Sequence, residues 1–187
     1  MMRIITGKAR GTRLYTLPTD DTRPTTEMAK EGIFSAVQFE LVGAEVLDLF
    51  SGTGQLALEA LSRGAKSAVC VENSRKAAEI IRKNAAATKL EADLHLVVSD
   101  AFAYLKNTTA RFNLIFADPP YGQGLAEKVV EKVLEYDVLK PGGALLVEAE
   151  GEESVPRHLW EKFAFSKSYH YGKTYVLLLR KGEEENA

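Results

Sequence analysis

The sequence has 187 residues, 45% of them hydrophobic and 27% charged, with a formal net charge of −2 at pH 7. That length predicts one domain, 1–187, able to bury about 70% of the surface of its unfolded chain, and the near-neutral charge argues against a general polyanion binder. No apolar run is long enough to span a membrane, Met1-Met2-Arg3-Ile4-Ile5-Thr6 lacks a signal-peptide core, and the three histidines have no metal-ligand spacing, so a cytoplasmic protein without membrane or metal is expected.

Arg3 to Leu17, interrupted by Gly7 and Gly11, reads as a small hairpin or irregular arm. It carries Arg3, Lys8, Arg10 and Arg13 and no acid, so it is either a solvated face or a phosphate-tracking surface. Arg23-Pro24-Thr25-Thr26-Glu27 looks like a helix start, with apolar Met28, Ile33, Phe34 and Val37 extending an amphipathic helix to about Phe39. Residues 1–40 are thus an arm and helix preceding a core of residues 41–181, and the acidic residues 182–187 read as a frayed tail.

From residue 45 strands and helices alternate. Strands are expected at Glu45 to Phe50, Ser67 to Glu72, Leu94 to Val98 and Phe112 to Ala117, with helices at Gln55 to Arg63, Ser74 to Thr88, Phe102 to Lys106 and Leu125 to Tyr136. Pro141-Gly142-Gly143 turns the chain into a strand at Ala144 to Glu148. A short helix near Pro156 to Lys162 precedes two strands, Phe163 to Tyr171 and Lys173 to Arg180, paired about Gly172. The sum is an α/β fold with a seven-stranded, mostly parallel sheet, an antiparallel C-terminal hairpin and a small N-terminal arm. Cys70, inside an apolar strand, reads as a small buried hydrophobe.

Two stretches carry chemistry. In Asp48-Leu49-Phe50-Ser51-Gly52-Thr53-Gly54 the glycines let a ligand approach the backbone at a helix N-terminus. Glu72 closes the second strand, where it can accept ribose hydroxyls, and Asp100 follows the third, placed for an adenine amine with Phe102 close by. Gly52-x-Gly54-x-x-Ala57 with Glu72 nearly fits the dinucleotide fingerprint, so an NAD enzyme is a rival. Asp48 inside the loop counts against it, because a carboxylate suits a ligand amine and not a pyrophosphate. The second stretch is Asp118-Pro119-Pro120-Tyr121, a stiff lip after a buried strand. Its Asp carboxylate and proline carbonyl offer acceptors to a substrate amine, and its tyrosine offers a stacking face.

With these motifs in order, the chain resembles S-adenosylmethionine-dependent methyltransferases acting on amino groups, whose motif is Asp/Asn-Pro-Pro-Tyr/Phe. Gly7-Lys8-Ala9-Arg10-Gly11, Arg23-Pro24-Thr25-Thr26 and Leu58-Glu59-Ala60-Leu61-Ser62-Arg63-Gly64 narrow the likeness to the RsmD family. That resemblance implies a Rossmann-like class I fold and methylation of the exocyclic N2 amine of a guanine in 16S ribosomal RNA, guanine 966, within an assembling or assembled small subunit. It implies cofactor contacts from Thr25, Thr26, Asp48, Ser51, Gly52, Gly54, Glu72, Asn73, Asp100, Ala101, Phe102 and Asp118. Catalysis falls to Asp118, Pro119, Pro120 and Tyr121, and RNA binding to Arg3, Lys8, Arg10, Arg13 and Arg23. Gln55 and Ala57 depart from the small residues or glycine expected there, and Tyr121 replaces a phenylalanine of some members. Other amino-methyltransferases, on adenine N6 or protein glutamine, share the lip. The adenine enzymes usually insert a target-reading domain, for which the stretch between Asp100 and Asp118 has no room, and the glutamine enzymes favour Asn in the lip and add an N-terminal helical domain. A noncatalytic RNA-binding assembly factor is the alternative of a different class.

Overall fold

A computed structural model describes residues 1–18 and 27–184. Thr25, Thr26 and Arg23 lie outside the described residues, as do the expected helix cap and residues 185–187 of the expected tail. By its internal contacts the chain divides into two compact units, Met1–Ala101 and Phe102–Ala187.

In the first unit the arm folds back on itself through an antiparallel bridge between Arg3 and Arg13, and Leu14 donates its N–H to the Met2 carbonyl at 3.0 Å. Helix α1 (Glu27–Ala36) follows. It is shorter than the sequence suggests, with Phe39 93% exposed beyond its end. Its buried face is Ala29, Lys30, Ile33 and Phe34, whereas Met28 is exposed. Strand β1 (Glu45–Leu49), helix α2 (Gln55–Ser62), β2 (Ser67–Glu72), α3 (Arg75–Thr88) and β3 (Leu94–Val98) then alternate. The three strands run in the order β3-β2-β1, all parallel, with Asp48 opposite Cys70 and Glu72 opposite Val98. Parallel strands need helices over their faces, and α2 is buried along all eight of its residues. Ser74 caps α3, accepting from the Ala77 N–H at 3.2 Å.

The second unit holds α4 (Ala101–Asn107), β4 (Phe112–Ala117), α5 (Leu125–Glu135), β5 (Leu139–Ala149), the single turn α6 (Arg157–Trp160), β6 (Phe165–Tyr171) and β7 (Thr174–Arg180). Its strand order is β4-β5-β7-β6; β4 and β5 pair in parallel, and β7 pairs antiparallel with both β5 and β6. All seven strands belong to one mixed, mostly parallel sheet. Pro141-Gly142-Gly143 does not break the chain before β5 as expected but lies inside it. Pairing with β4 jumps from Phe112–Leu139 to Leu114–Ala144, and Gly142 sits at φ 70°: a proline without an N–H and a left-handed glycine are absorbed as a bulge.

Candidate active site

One candidate stretch, in the first unit, is the turn from β1 into α2. Phe50, Gly52 and Gly54 all take positive φ, at 56°, 58° and 78°. Two of these positions suit glycine, whereas Phe50 carries a side chain in a conformation that costs about 1–3 kcal/mol and is held only where its surroundings impose it. The imposing contacts are nearby. Ser51 donates its hydroxyl to the Asp48 carbonyl at 2.6 Å and its N–H to the Val71 carbonyl at 3.1 Å, while Gly54 donates to the Ser51 carbonyl at 2.8 Å.

Two carboxylates brace this turn. Asp48, 1% exposed, accepts the Ala57 N–H at 3.3 Å and so answers one of the donors left open at the start of α2. Glu72 accepts the Gly52 N–H at 2.7 Å and the Ser74 N–H at 2.8 Å, one on each oxygen, which ties the glycine turn to the cap of α3. A carboxylate has about four acceptor positions, so lone pairs remain on both Glu72 oxygens for a diol. Asn73 is exposed beside it, Asp100 is exposed after β3, and Ala101 is buried at the start of α4. The half-buried Phe102 ring has the Lys128 ammonium 4.2 Å from its centroid, so a flat ligand would use the opposite face.

The arm is attached to this same unit by polar groups for which the sequence suggests no role. Glu59, fully buried on α2, accepts the N–H groups of Ile5 and Thr6, each at 2.9 Å, and pairs with Arg63 at 2.9 Å and Lys30 at 3.2 Å. Lys30 also donates to the Arg3 carbonyl at 2.8 Å. Burial lowers the Lys30 ammonium pKa, and the Glu59 charge opposes that shift. Ser62 accepts the Ala9 N–H and donates to the Thr6 carbonyl, and a Cβ on Gly7 would lie 1.8 Å from the Ser62 carbonyl oxygen. Asn84 bonds both the N–H and the carbonyl of Tyr15 and reaches the Thr53 carbonyl at 2.9 Å, linking the arm to the glycine turn. Arg3, Lys8, Arg10 and Arg13 are exposed on the arm so fixed, with Arg3 paired to Glu27 at 3.0 Å. The only cue for these anchors was their polarity on otherwise apolar helix faces.

A second candidate stretch belongs to the other unit. Asp118 follows β4, and Pro119, Pro120 and Tyr121 line an open recess of about 150 Å³ together with Gly122, Leu125, Glu148, Glu150 and Ser154. Glu148, 4% exposed near the carboxyl end of β5, and Ser154 were not anticipated as site residues. Cys70 is fully buried, as expected; burial pushes its thiol well above the ordinary 9.0, with the Asp48 charge acting in the same direction. Among the described residues there is no cluster of three or more His, Cys, Asp or Glu able to hold a metal ion, and no helix is long and apolar enough to cross a membrane.

Comparison with known proteins bears on the family and the fold. A family model described as Conserved hypothetical protein 95 matches residues 2–180. The chain is 34% identical over 155 residues to Ribosomal RNA small subunit methyltransferase D of Escherichia coli, covering 83% of this chain and 78% of that one. It is 31% identical over 183 residues to YlbH of Bacillus subtilis, covering 96% and 99%. Among solved structures, yhhF from Escherichia coli superposes with a TM-score of 0.85 at 31% identity, covering 98% of this chain and 99% of that one. The fold is therefore the Rossmann-like fold of methyltransferases.

Proposed function

Because the chain belongs to the RsmD family of methyltransferases, we propose that it transfers a methyl group from S-adenosylmethionine to the N2 amine of a guanine in 16S ribosomal RNA, in the cytoplasm. The guanine at position 966 is the target the family resemblance suggests. The observation that carries the reading is the acid-braced glycine turn in a chain that also bears Asp118-Pro119-Pro120-Tyr121 after a strand.

The turn fits the cofactor chemically. A Cβ on Gly52 would meet only open space, so a ligand can lie against that backbone. The buried Asp48 carboxylate makes the turn hostile to a pyrophosphate and favourable to an ammonium group, which sets the NAD reading aside. Glu72 retains acceptor capacity for the ribose hydroxyls; Asp48, Ser51, Gly52 and Gly54 hold the methionine part, and Asn73, Asp100, Ala101 and Phe102 the adenine end, with Thr25 and Thr26 contributing on the side of the carboxylate. When bound, the cofactor supplies an electrophilic methyl group on a sulfonium.

The protein's own contribution is to make a poor nucleophile adequate. A guanine N2 lone pair is delocalised into the ring. The Asp118 carboxylate and the Pro119 carbonyl accept its two N–H groups, favouring a pyramidal nitrogen whose lone pair is directed at the methyl carbon. The Asp118 carboxylate would stabilise the positive charge that develops on that nitrogen when it is methylated and would take up the proton it then loses. Pro120 stiffens the lip, and Tyr121 stacks on a base that has left its helix, which is least costly from an unpaired loop. Arg3, Lys8, Arg10, Arg13 and Arg23 contact phosphates of the small subunit, residues 41–181 carry the catalytic machinery, and the chain acts as one methyltransferase domain. Mass spectrometry of ribosomal RNA nucleosides from cells with and without the protein tests the assignment: loss of one N2-methylguanosine supports it, and an unchanged nucleoside profile refutes it.

A further inference from the structure

The lip accounts for holding an amine but not for choosing guanine. Adenine, cytosine and guanine all carry an exocyclic amine, and two acceptors from Asp118 and Pro119 serve each of them equally. The ring atom beside the amine differs. In guanine the neighbouring N1 carries a hydrogen and is a donor, whereas in adenine and cytosine the neighbouring ring nitrogen is an acceptor.

The recess beside the lip has a feature matched to this difference. Ala117, the last residue of β4, is the register partner of Val147 of β5, so Asp118 and Glu148 each follow a paired residue at the carboxyl ends of adjacent parallel strands. Paired strands lie about 4.8 Å apart, which spaces the two backbones on the scale of a base's hydrogen-bonding edge. Glu148 is 4% exposed, lines the recess with Pro119 and Tyr121, and sits in a strand anchored on its other side by the Glu148–Val176 pair with β7. Its position is fixed by the sheet rather than by a loop, which is what discrimination between similar ligands demands. Glu150, at the same strand end, is exposed and does not share that constraint.

We propose that Glu148 is the residue that selects guanine, its carboxylate accepting the N1–H of the target base while the lip holds the N2 amine. This rests on the proposed amino-methyltransferase function and gives its site a base preference. A carboxylate has only acceptors; opposite guanine N1–H it gains a charge-assisted hydrogen bond, and opposite the N1 lone pair of adenine it meets repulsion in a largely desolvated place. A buried polar group facing the wrong partner is a strong source of rejection.

The test uses 2-aminopurine, which keeps the amine on C2 but has a lone pair at N1. Small-subunit particles are reconstituted with guanine or 2-aminopurine at the methylated nucleotide, and kcat/KM is measured for the wild-type protein and for Glu148→Gln and Glu148→Asp. Wild-type protein is expected to prefer guanine by about tenfold or more. Glu148→Gln, able to donate its amide hydrogen to N1, should shrink that preference to about threefold or less, whereas Glu148→Asp should preserve its direction; the loss of O6 is common to all the enzymes and cancels. Cofactor affinity by calorimetry establishes that each variant is folded. Wild-type protein that accepts both bases within about threefold, or a folded Glu148→Gln that keeps the full preference, overturns the assignment. Failure of the wild-type protein to form N2-methylguanosine on the guanine particle instead refutes the proposed function itself.

Discussion

Gly52 donates its backbone N–H to the Glu72 carboxylate at 2.7 Å, and the other oxygen of the same carboxylate takes the Ser74 N–H at 2.8 Å. One side chain thus ties the glycine turn after β1 to the start of α3, and on the proposed function it would shape the cofactor site as well as touch the cofactor. Glu72→Ala should weaken S-adenosylmethionine binding by at least about tenfold, because two charge-assisted bonds that shape the turn are lost together. Isothermal calorimetry reads the affinity, and circular dichroism should show an intact fold. Unchanged affinity would mean the turn holds its shape without the carboxylate.

The Glu59 cluster makes a different demand. Glu59 and Lys30 are both buried, so removing one leaves the other desolvated without its counter-charge. Glu59→Ala is expected to lower unfolding stability by about 3–5 kcal/mol, and the double variant Glu59→Ala with Lys30→Met should recover part of that loss. Urea denaturation measures both. A single-variant loss below about 1 kcal/mol would show that the arm is not held by this cluster.

Arg10 and Arg13 project from the arm that this cluster holds in place. Replacing both with alanine should weaken binding to small-subunit RNA and reduce the salt slope of log K by about one for each phosphate no longer neutralised. Filter binding across a salt series distinguishes this from a solvated face, which would leave the slope as it was.

Cys70 gives a pH signature. Its folded thiol is raised by burial first and by the Asp48 charge second, so above pH 9.0 the unfolded chain releases a proton that the folded protein retains. The folded state then binds more protons, and stability, complete below 9.0, falls as the pH rises. Cys70→Ala should flatten that alkaline limb in a chemical denaturation series, with native Cys70 inert to a thiol reagent at neutral pH. Equal alkaline slopes in the two proteins would contradict the shift.

Much of this architecture is legible in sequence because it is local. β2, β3 and β4 occupy the expected residues, since apolar runs bounded by Gly, Asn and Asp declare themselves without knowledge of what packs on them. The glycine turn and the lip are legible for the same reason, each being a short contiguous motif whose residue types restrict the backbone. What escapes is set by distant partners. Glu59 meets Ile5 and Thr6 across 54 and 53 positions of sequence, and Asn84 meets Tyr15 across 69. Lys30 lies on the buried face of α1, where exposed Met28 was expected, because a carboxylate awaits it there. Pro141-Gly142-Gly143 imitates a turn because the sheet tolerates a bulge there that no local rule requires. Glu148 reads only as the end of a strand until the fold places it in the recess with Pro119, Pro120 and Tyr121.

In the proposed function, Asp118 is the residue on which methyl transfer to the amine most directly depends. Small-subunit particles incubated with methyl-labelled S-adenosylmethionine should yield labelled N2-methylguanosine with the wild-type protein, and with Asp118→Ala a loss of at least about a hundredfold in kcat at nearly unchanged cofactor affinity. Unchanged turnover by Asp118→Ala would contradict that dependence, and label recovered in any other nucleoside would contradict the proposed guanine target.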